Sequence, residues 1–423
     1  MFLSSRLKKR EITGMLWTAC AIIFIIWLVR YPQAVYLASH RGLKAWWEIV
    51  FPALLPFFIG TELLVGFGVV RFMGVLLEPV MRPLFNLPGA ASFVLAVGYT
   101  SGFPIGSIVT TGLRKDGLVT RTEGERLMSF TNNASPLFML AAVAVGMYHS
   151  PHLGFILAAA HYAANLTIGL LMGLYSNLRP RGYALPGRSP ASSQPLRQIL
   201  RRAFWELGVA HRDNYQPLGQ RLSTAISKSV NTLLMIGGFI IIFSVLIEVL
   251  SKLGFLGYMA QVLAGILAAV GLDPQLAPAL ATGIFEITLG TKLAAETAAP
   301  LQEKILITSF LLAWSGISVH AQVASIISGT DLRYFLFFCC RIAHAVLAAV
   351  YSLMLFKPMT ALLEETSLPT WNPLLTKSDG FIPWWQHLEF FTKLFIFDLL
   401  LLGAVTVIFL LLGRVRILWY RWR

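Results

Sequence analysis

The stretch Gly98-Tyr99-Thr100-Ser101-Gly102-Phe103-Pro104-Ile105-Gly106 interrupts an otherwise apolar segment, 90–113, with three glycines, a proline and two aliphatic hydroxyls. Irregular backbone survives at membrane depth only where protein or a water-filled cavity satisfies its polar groups. The stretch therefore reads as the tip of a helix–turn–helix that enters and leaves the bilayer by one face. A second segment, 275–297, has the same character around Ala281-Thr282-Gly283-Ile284-Phe285-Glu286-Ile287-Thr288-Leu289-Gly290. Two interrupted segments of this kind point to a helical membrane protein with two re-entrant hairpins.

The composition agrees. Of 423 residues, 56% are hydrophobic and 13% charged, against about 25% charged in a soluble domain. Apolar runs of crossing length, about 17–25 residues, fall near 12–29, 50–70, 127–147, 153–176, 228–250, 304–328, 334–357 and 391–413. The first follows Arg6-Leu7-Lys8-Lys9-Arg10 with no small-residue cleavage site after it, so it reads as an uncleaved span. The formal net charge of +14 is gathered in 1–11, 71–89, 114–126, 177–227, 329–333 and 414–423. Those segments share the cytoplasmic side if both interrupted segments are hairpins and both termini are cytoplasmic. The basic residues are scattered among apolar spans, so no nucleic-acid partner is expected, and three cysteines in apolar stretches imply no disulfide framework.

The expected fold is an all-α polytopic protein of the bacterial cell membrane, with about eight transmembrane helices plus two re-entrant hairpins. Its parts are a tail and first span (1–44), a first unit (45–176), a basic linker read as a solvated cytoplasmic loop (177–227), a second unit (228–357), and an outer loop, last span and basic tail (358–423). Sliding the chain on itself by about 185 residues places Gly98 on Gly283, Thr100-Ser101 opposite Phe285-Glu286, and Asn132-Asn133-Ala134-Ser135 opposite Ile317-Ser318-Val319-His320. Glu62 falls one residue from Glu248. The first copy starts outside and the second inside, which makes the repeat inverted, the arrangement of secondary transporters with a site near the bilayer midplane.

The first hairpin motif, followed by Phe130-Thr131-Asn132-Asn133-Ala134-Ser135-Pro136-Leu137-Phe138, resembles the family of the sporulation integral membrane protein YlbJ. That family belongs to the nucleoside-recognition Gate group with the spore maturation proteins SpmA and SpmB. The order of amphipathic helix, hairpin, broken helix and helix, given twice, also resembles concentrative nucleoside transporters. The resemblance covers roughly 45–357 and implies a membrane protein of a spore-forming bacterium with a part in spore cortex formation and heat resistance. It implies no substrate. Nucleoside carriers of this architecture have Gln-Thr-Glu at the first hairpin tip, where this chain has Tyr99-Thr100-Ser101, so nucleoside transport does not follow from the group's name.

A charge at the bilayer centre costs about 2.5–3.5 kcal/mol on insertion scales, which makes an intramembrane acid a functional candidate. Glu286, next to Thr288 at the second hairpin tip, is the sharpest, the bland alternative being an ion pair with Lys292. Asn132, Asn133 and Ser135 precede Pro136, which frees a backbone carbonyl. Ser315, Ser318, His320 and Gln322 form the corresponding stretch of the second copy, and both sets could instead be interhelical glue. Thr100, Ser101 and Gly102 complete the candidate substrate site. Glu62 and Glu248 read as interface anchors, Arg341 and His344 as partners of a buried acid, and His161 as a satisfied core histidine. His149 and His152 are a weak metal signal.

The expected function is transport of a small polar solute, with Na⁺ or H⁺ as a candidate coupling ion and no resident cofactor or metal. Candidate partners are the lipid bilayer, the solute or ion, other sporulation membrane proteins and a second copy of the chain. No nucleophile–base or metalloprotease motif is present, so no enzyme is expected. The rival reading is a scaffold that organises a sporulation complex through 177–227.

Overall fold

The computed structural model describes residues 14–15, 18–19, 21–178, 196–213 and 216–365. The chain to Thr360 forms one unit, and of the second, from Ala361, only the first five residues are described, as helix. Every regular element among the described residues is helical: α1 (Ala21–Arg30), α2 (Pro32–Ala45), α3 (Phe51–Gly66), α4 (Val69–Val80), α5 (Ala91–Ser101), α6 (Ile105–Lys115), α7 (Arg121–Thr131), α8 (Pro151–Leu178), α9 (Leu196–Asp213), α10 (Leu218–Lys252), α11 (Phe255–Ala269), α12 (Ala277–Phe285), α13 (Ile287–Glu296), α14 (Leu301–Trp314), α15 (Gly316–Ile327) and α16 (Tyr334–Glu365).

Proline positions explain most interruptions. Pro32 cannot continue α1 and pushes Tyr31 out of helical geometry (φ −129°, ψ 57°), so the chain bends by 103° into α2. Wide π-type turns occupy Trp46–Val50, Met81–Phe85 and Phe138–Val145. Pro83 lies within the second, and the ring of Pro52, two residues beyond the first, cannot sit against the Glu48 carbonyl inside it, so the helical ladder opens in both, whereas Pro136 precedes the third and acts on the break before it. Through the first of these turns α2 and α3 run as one continuous rod.

That rod packs against α10. Arg41 Nη2 lies 2.5 Å from Glu248 Oε2, and Lys228 Nζ lies 3.6 Å from Glu62 Oε2. As residue number rises along one rod it falls along the other, so the two are antiparallel. Glu62 and Glu248 are thus tied to cations of the opposite rod rather than standing alone as interface anchors. Left-handed Gly68 (φ 83°) and Gly254 (φ 76°) end the rods, and short helices α4 and α11 follow.

Four described helices are long and apolar enough to cross a membrane: Pro151–Ser176, Leu218–Lys252, Leu301–Ile327 and Tyr334–Thr360, or five if the bent pair α1–α2 counts as one span. The span expected at 391–413 lies outside the described residues.

The linker departs from a solvated loop. Residues 196–213 form helix α9, which lies along α4. Ala203 and Ala210 are buried, Phe204 meets Phe72 edge-on at 5.1 Å between ring centres, and Arg202 pairs with Glu78 at 2.8 Å. The helical spacing of 203, 207 and 210 supplies a docking stripe that Arg- and Pro-rich composition conceals.

Candidate functional site

Two helical hairpins and two broken helices build the site. In the first hairpin, α5 and α6 meet at Gly102 (φ 80°), Phe103 and Pro104. α7 ends at Thr131, and 132–135 leave helical geometry before the helix resumes at Pro136. This break is wedged into the hairpin. A β-carbon on Gly98 would come within 2.1 Å of the Thr131 carbonyl oxygen, and one on Gly106 within 2.3 Å. Only glycine lets both limbs approach that backbone. Ser135 Oγ then accepts the Phe138 amide (3.1 Å), capping the resumed helix.

In the second hairpin, α12 and α13 meet at Glu286, and α14 breaks at Ser315 and Gly316, which are both left-handed (φ 72° and 73°). Gly316 lies against the tip backbone at 285–287, and Trp314 Nε1 donates to the Ile284 carbonyl (3.0 Å). Glu286 is buried, with extended backbone, and its Oε2 accepts the Leu289 amide at 2.7 Å. It is the N-cap of α13, where the helix dipole favours a negative charge. Lys292 pairs instead with Glu296 at 3.8 Å, so the ion-pair alternative for Glu286 is not what the fold adopts.

Both tips, the first break and the start of α15 beyond the second break open on one cavity of about 630 Å³, counted with its open side. Seven candidate residues line it: Ser101, Gly102, Ser135, Glu286, Thr288, Ser318 and Gln322. Much of the remaining wall is apolar, with Phe58 of α3, Phe103 of the first tip, Phe138 beyond the break and Phe239 of α10. These phenylalanines carry no polar signal, which is why motif reading passed over them.

The other five candidates do not line the cavity. Thr100 turns its hydroxyl to the Ala96 carbonyl (2.9 Å) of its own helix. Asn133 donates to the Phe130 carbonyl (3.2 Å), and Ser315 bonds the adjacent Trp314 carbonyl. His320 is held between Tyr334 Oη and the Trp314 carbonyl (3.0 Å), its ring 4.3 Å from the Trp314 ring. Asn132 is fully buried, and neither of its side-chain amide atoms has a protein partner.

Behind the breaks lies Arg341 of α16, fully buried. Its partners are not the acid expected from sequence. The guanidinium donates to the carbonyls of Ser129 (2.8 Å) and Asn132 (2.9 Å) at the end of α7 and to Asn165 Oδ1 (3.3 Å), with a long 3.5 Å contact to the Ala313 carbonyl at the end of α14. A helix C-terminus carries about half a negative charge, so two half-helix ends together offset about one guanidinium. His344, one turn on, meets the His161 carbonyl through Nε2 (2.9 Å), and His161 Nε2 accepts the Ala134 amide (3.3 Å). The two histidine rings lie 4.6 Å apart, and each Nδ1 is buried without a partner, so His161 is neither isolated nor fully satisfied. Among the described residues, no cluster of three or more His, Cys, Asp or Glu could hold a metal ion.

Comparison with known proteins places these elements in a class. The family model described as Gate, nucleoside recognition, matches 47–164 and 233–330, the two segments that carry the hairpins and breaks, and the chain belongs to this family of multi-pass membrane proteins. Within it, the chain is 46% identical over 332 residues to the sporulation integral membrane protein YlbJ of Bacillus subtilis (strain 168), covering 78% of this chain and 80% of that protein. The family resemblance carried by the hairpin motif therefore holds. An uncharacterized protein of Alkalihalophilus pseudofirmus is 28% identical over 129 residues, 30% of this chain and 28% of its own. A solved structure of CNTnw in an inward-facing substrate-bound state covers 85% of this chain and 87% of its own at 12% identity and a TM-score of 0.43.

Proposed function

We propose that the chain is a membrane carrier that moves a small solute, part apolar and part polar, through the cavity between the hairpin tips. The observation that carries this reading is the convergence of both hairpin tips, the first helix break and the start of α15 on one cavity with Glu286 in its wall. The phenylalanines suit a ring or other apolar face. Ser101, Ser135, Thr288, Ser318, Gln322 and Glu286 suit hydroxyl or amine groups, Asn132, Asn133, Ser315 and His320 are buried away from the cavity wall, and Thr100 is exposed near the first tip. Na⁺ or H⁺ is the proposed coupling ion, for which a buried carboxylate and unwound carbonyls are suitable ligands.

The carrier reading includes eight spans, an inverted repeat over 45–176 and 228–357, and cytoplasmic termini. Reciprocal pairing of Arg41 with Glu248 and of Glu62 with Lys228 supports the inversion, because contacts across a two-fold axis come in such matched pairs. The relative's name assigns that protein to sporulation, and we extend the role to this chain as support of spore cortex formation, beside other sporulation membrane proteins or a second copy.

The test is Glu286→Gln, checked for normal membrane levels, with spore heat resistance as the readout and solute uptake by proteoliposomes, nucleosides included, as the second. Loss of both is expected. Unchanged resistance and uptake would refute the site, and loss of resistance only on deleting 180–220 would point to the scaffold.

A further inference from the structure

Helix α9 has two faces that its packing on α4 leaves open. Ala203 and Ala210 are buried on the docked side, and Arg202 is engaged with Glu78. Phe204 touches Phe72 of α4 with one edge of its ring yet remains 62% exposed, Trp205 is 64% exposed, and Leu200 is 37% exposed. Arg197, Arg201 and Arg212 are exposed as well. At 100° per residue, Leu200 and Phe204 share one flank, with Arg197 and Arg201 next around the helix. An apolar edge bearing aromatics, bordered by arginines, is the pattern of a helix that lies in the membrane interface.

We propose that α9 is an interfacial helix that seats Leu200 and Phe204 among the acyl chains and binds anionic lipid headgroups through Arg197 and Arg201. The charge decides the occupant. Three exposed arginines complement an anionic leaflet, each being worth about 1 kcal/mol, or roughly fivefold in partition, near such a surface. The buried face explains why the helix holds its orientation: docking on α4 fixes the rotation, so the lipid-facing residues are presented without further ordering.

The full-length protein tests this in nanodiscs of phosphatidylcholine, with and without phosphatidylglycerol. A spin label is attached at Phe204→Cys, or at Glu206→Cys as the control facing away. Cys20 and Cys339 are changed to Ser, and the buried Cys340 is retained. The ratio of oxygen to nickel-chelate accessibility at 204 is expected to be several-fold above that at 206 and to rise with phosphatidylglycerol. Arg197→Gln/Arg201→Gln is expected to abolish that rise and keep the phosphatidylcholine value. A water-like ratio at 204, a phosphatidylglycerol response unchanged in the double variant, or shielding of 204 from both reagents, the sign of a protein partner or second copy, would each overturn the proposal.

Discussion

Replacing Arg341 with methionine removes a side chain that bonds the first broken helix and touches the end of the second, while leaving a body of similar length. The variant loses strong charge-assisted bonds to Ser129 and Asn132 and a longer one to Asn165, each worth about 1.5–3 kcal/mol when the donor is ionised. Against this, the wild-type protein keeps a guanidinium out of water, a penalty of several kcal/mol that the variant no longer bears. The net falls near the cost of breaking a buried ionic arrangement, about 3–5 kcal/mol, because the two carbonyls and the Asn165 amide oxygen stay buried without their donor. Arg341→Lys keeps the charge but not the fork, so it reaches one break and not both, and an intermediate loss is expected. The assay is thermal unfolding in detergent followed by tryptophan fluorescence. For a chain of 423 residues, an unfolding entropy of about 2.1 cal/mol/K per residue gives about 1 °C per kcal/mol, so the midpoint of Arg341→Met should fall by roughly 3–6 °C. A midpoint within about 1 °C of wild type, about 1 kcal/mol or less on that scale, would refute the account of Arg341 as the joint between the breaks.

Two further outcomes follow from local geometry. Gly106→Ala places a β-carbon 2.3 Å from the Thr131 oxygen, a backbone atom held by its own helix, so hairpin docking should fail and membrane levels collapse; Gly112→Ala, on the same helix with nothing within 4 Å, should be neutral or gain up to about 1 kcal/mol in helix propensity. Asp331 pairs with Arg114 through two 2.8 Å bonds, and this hydrogen bonding holds its carboxyl below the usual carboxylate range. The pair therefore contributes above the unfolded pKa of about 3.9 and is lost as pH falls through the lower folded value. Being about half exposed at Asp331, it is worth at most about 1 kcal/mol, so Asp331→Asn should lower the unfolding midpoint slightly at pH 7 and match wild type at the acid end of a pH series.

What could be read in the sequence was whatever depends on chain chemistry near one position. Glycine and proline inside an apolar segment announce a turn, so both hairpin tips were visible at Gly102-Phe103-Pro104 and around Glu286. Pro136 marked the first break, and the hairpin motif carried the family. Side-chain direction was not readable. Asn132 and Ser135 are three residues apart in one unwound stretch, yet only Ser135 lines the cavity. His320 and Gln322 are two apart on one helix, and His320 turns into an aromatic cluster instead.

The sequence alone determined that this is a helical membrane protein with two interrupted segments in matching places, because hydropathy and helix-breaking residues act over a few turns of chain. The tertiary structure decided who meets whom. Arg341 met helix ends and not an acid, Glu286 became a helix cap beside the cavity and not half of an ion pair, and the basic linker proved to contain a docked amphipathic helix. The Glu286 cap is local, made with the Leu289 amide three residues on, but the other two depend on contacts between residues more than a hundred apart, and for Arg341 the partners are backbone carbonyls and helix dipoles, which leave no mark in the sequence.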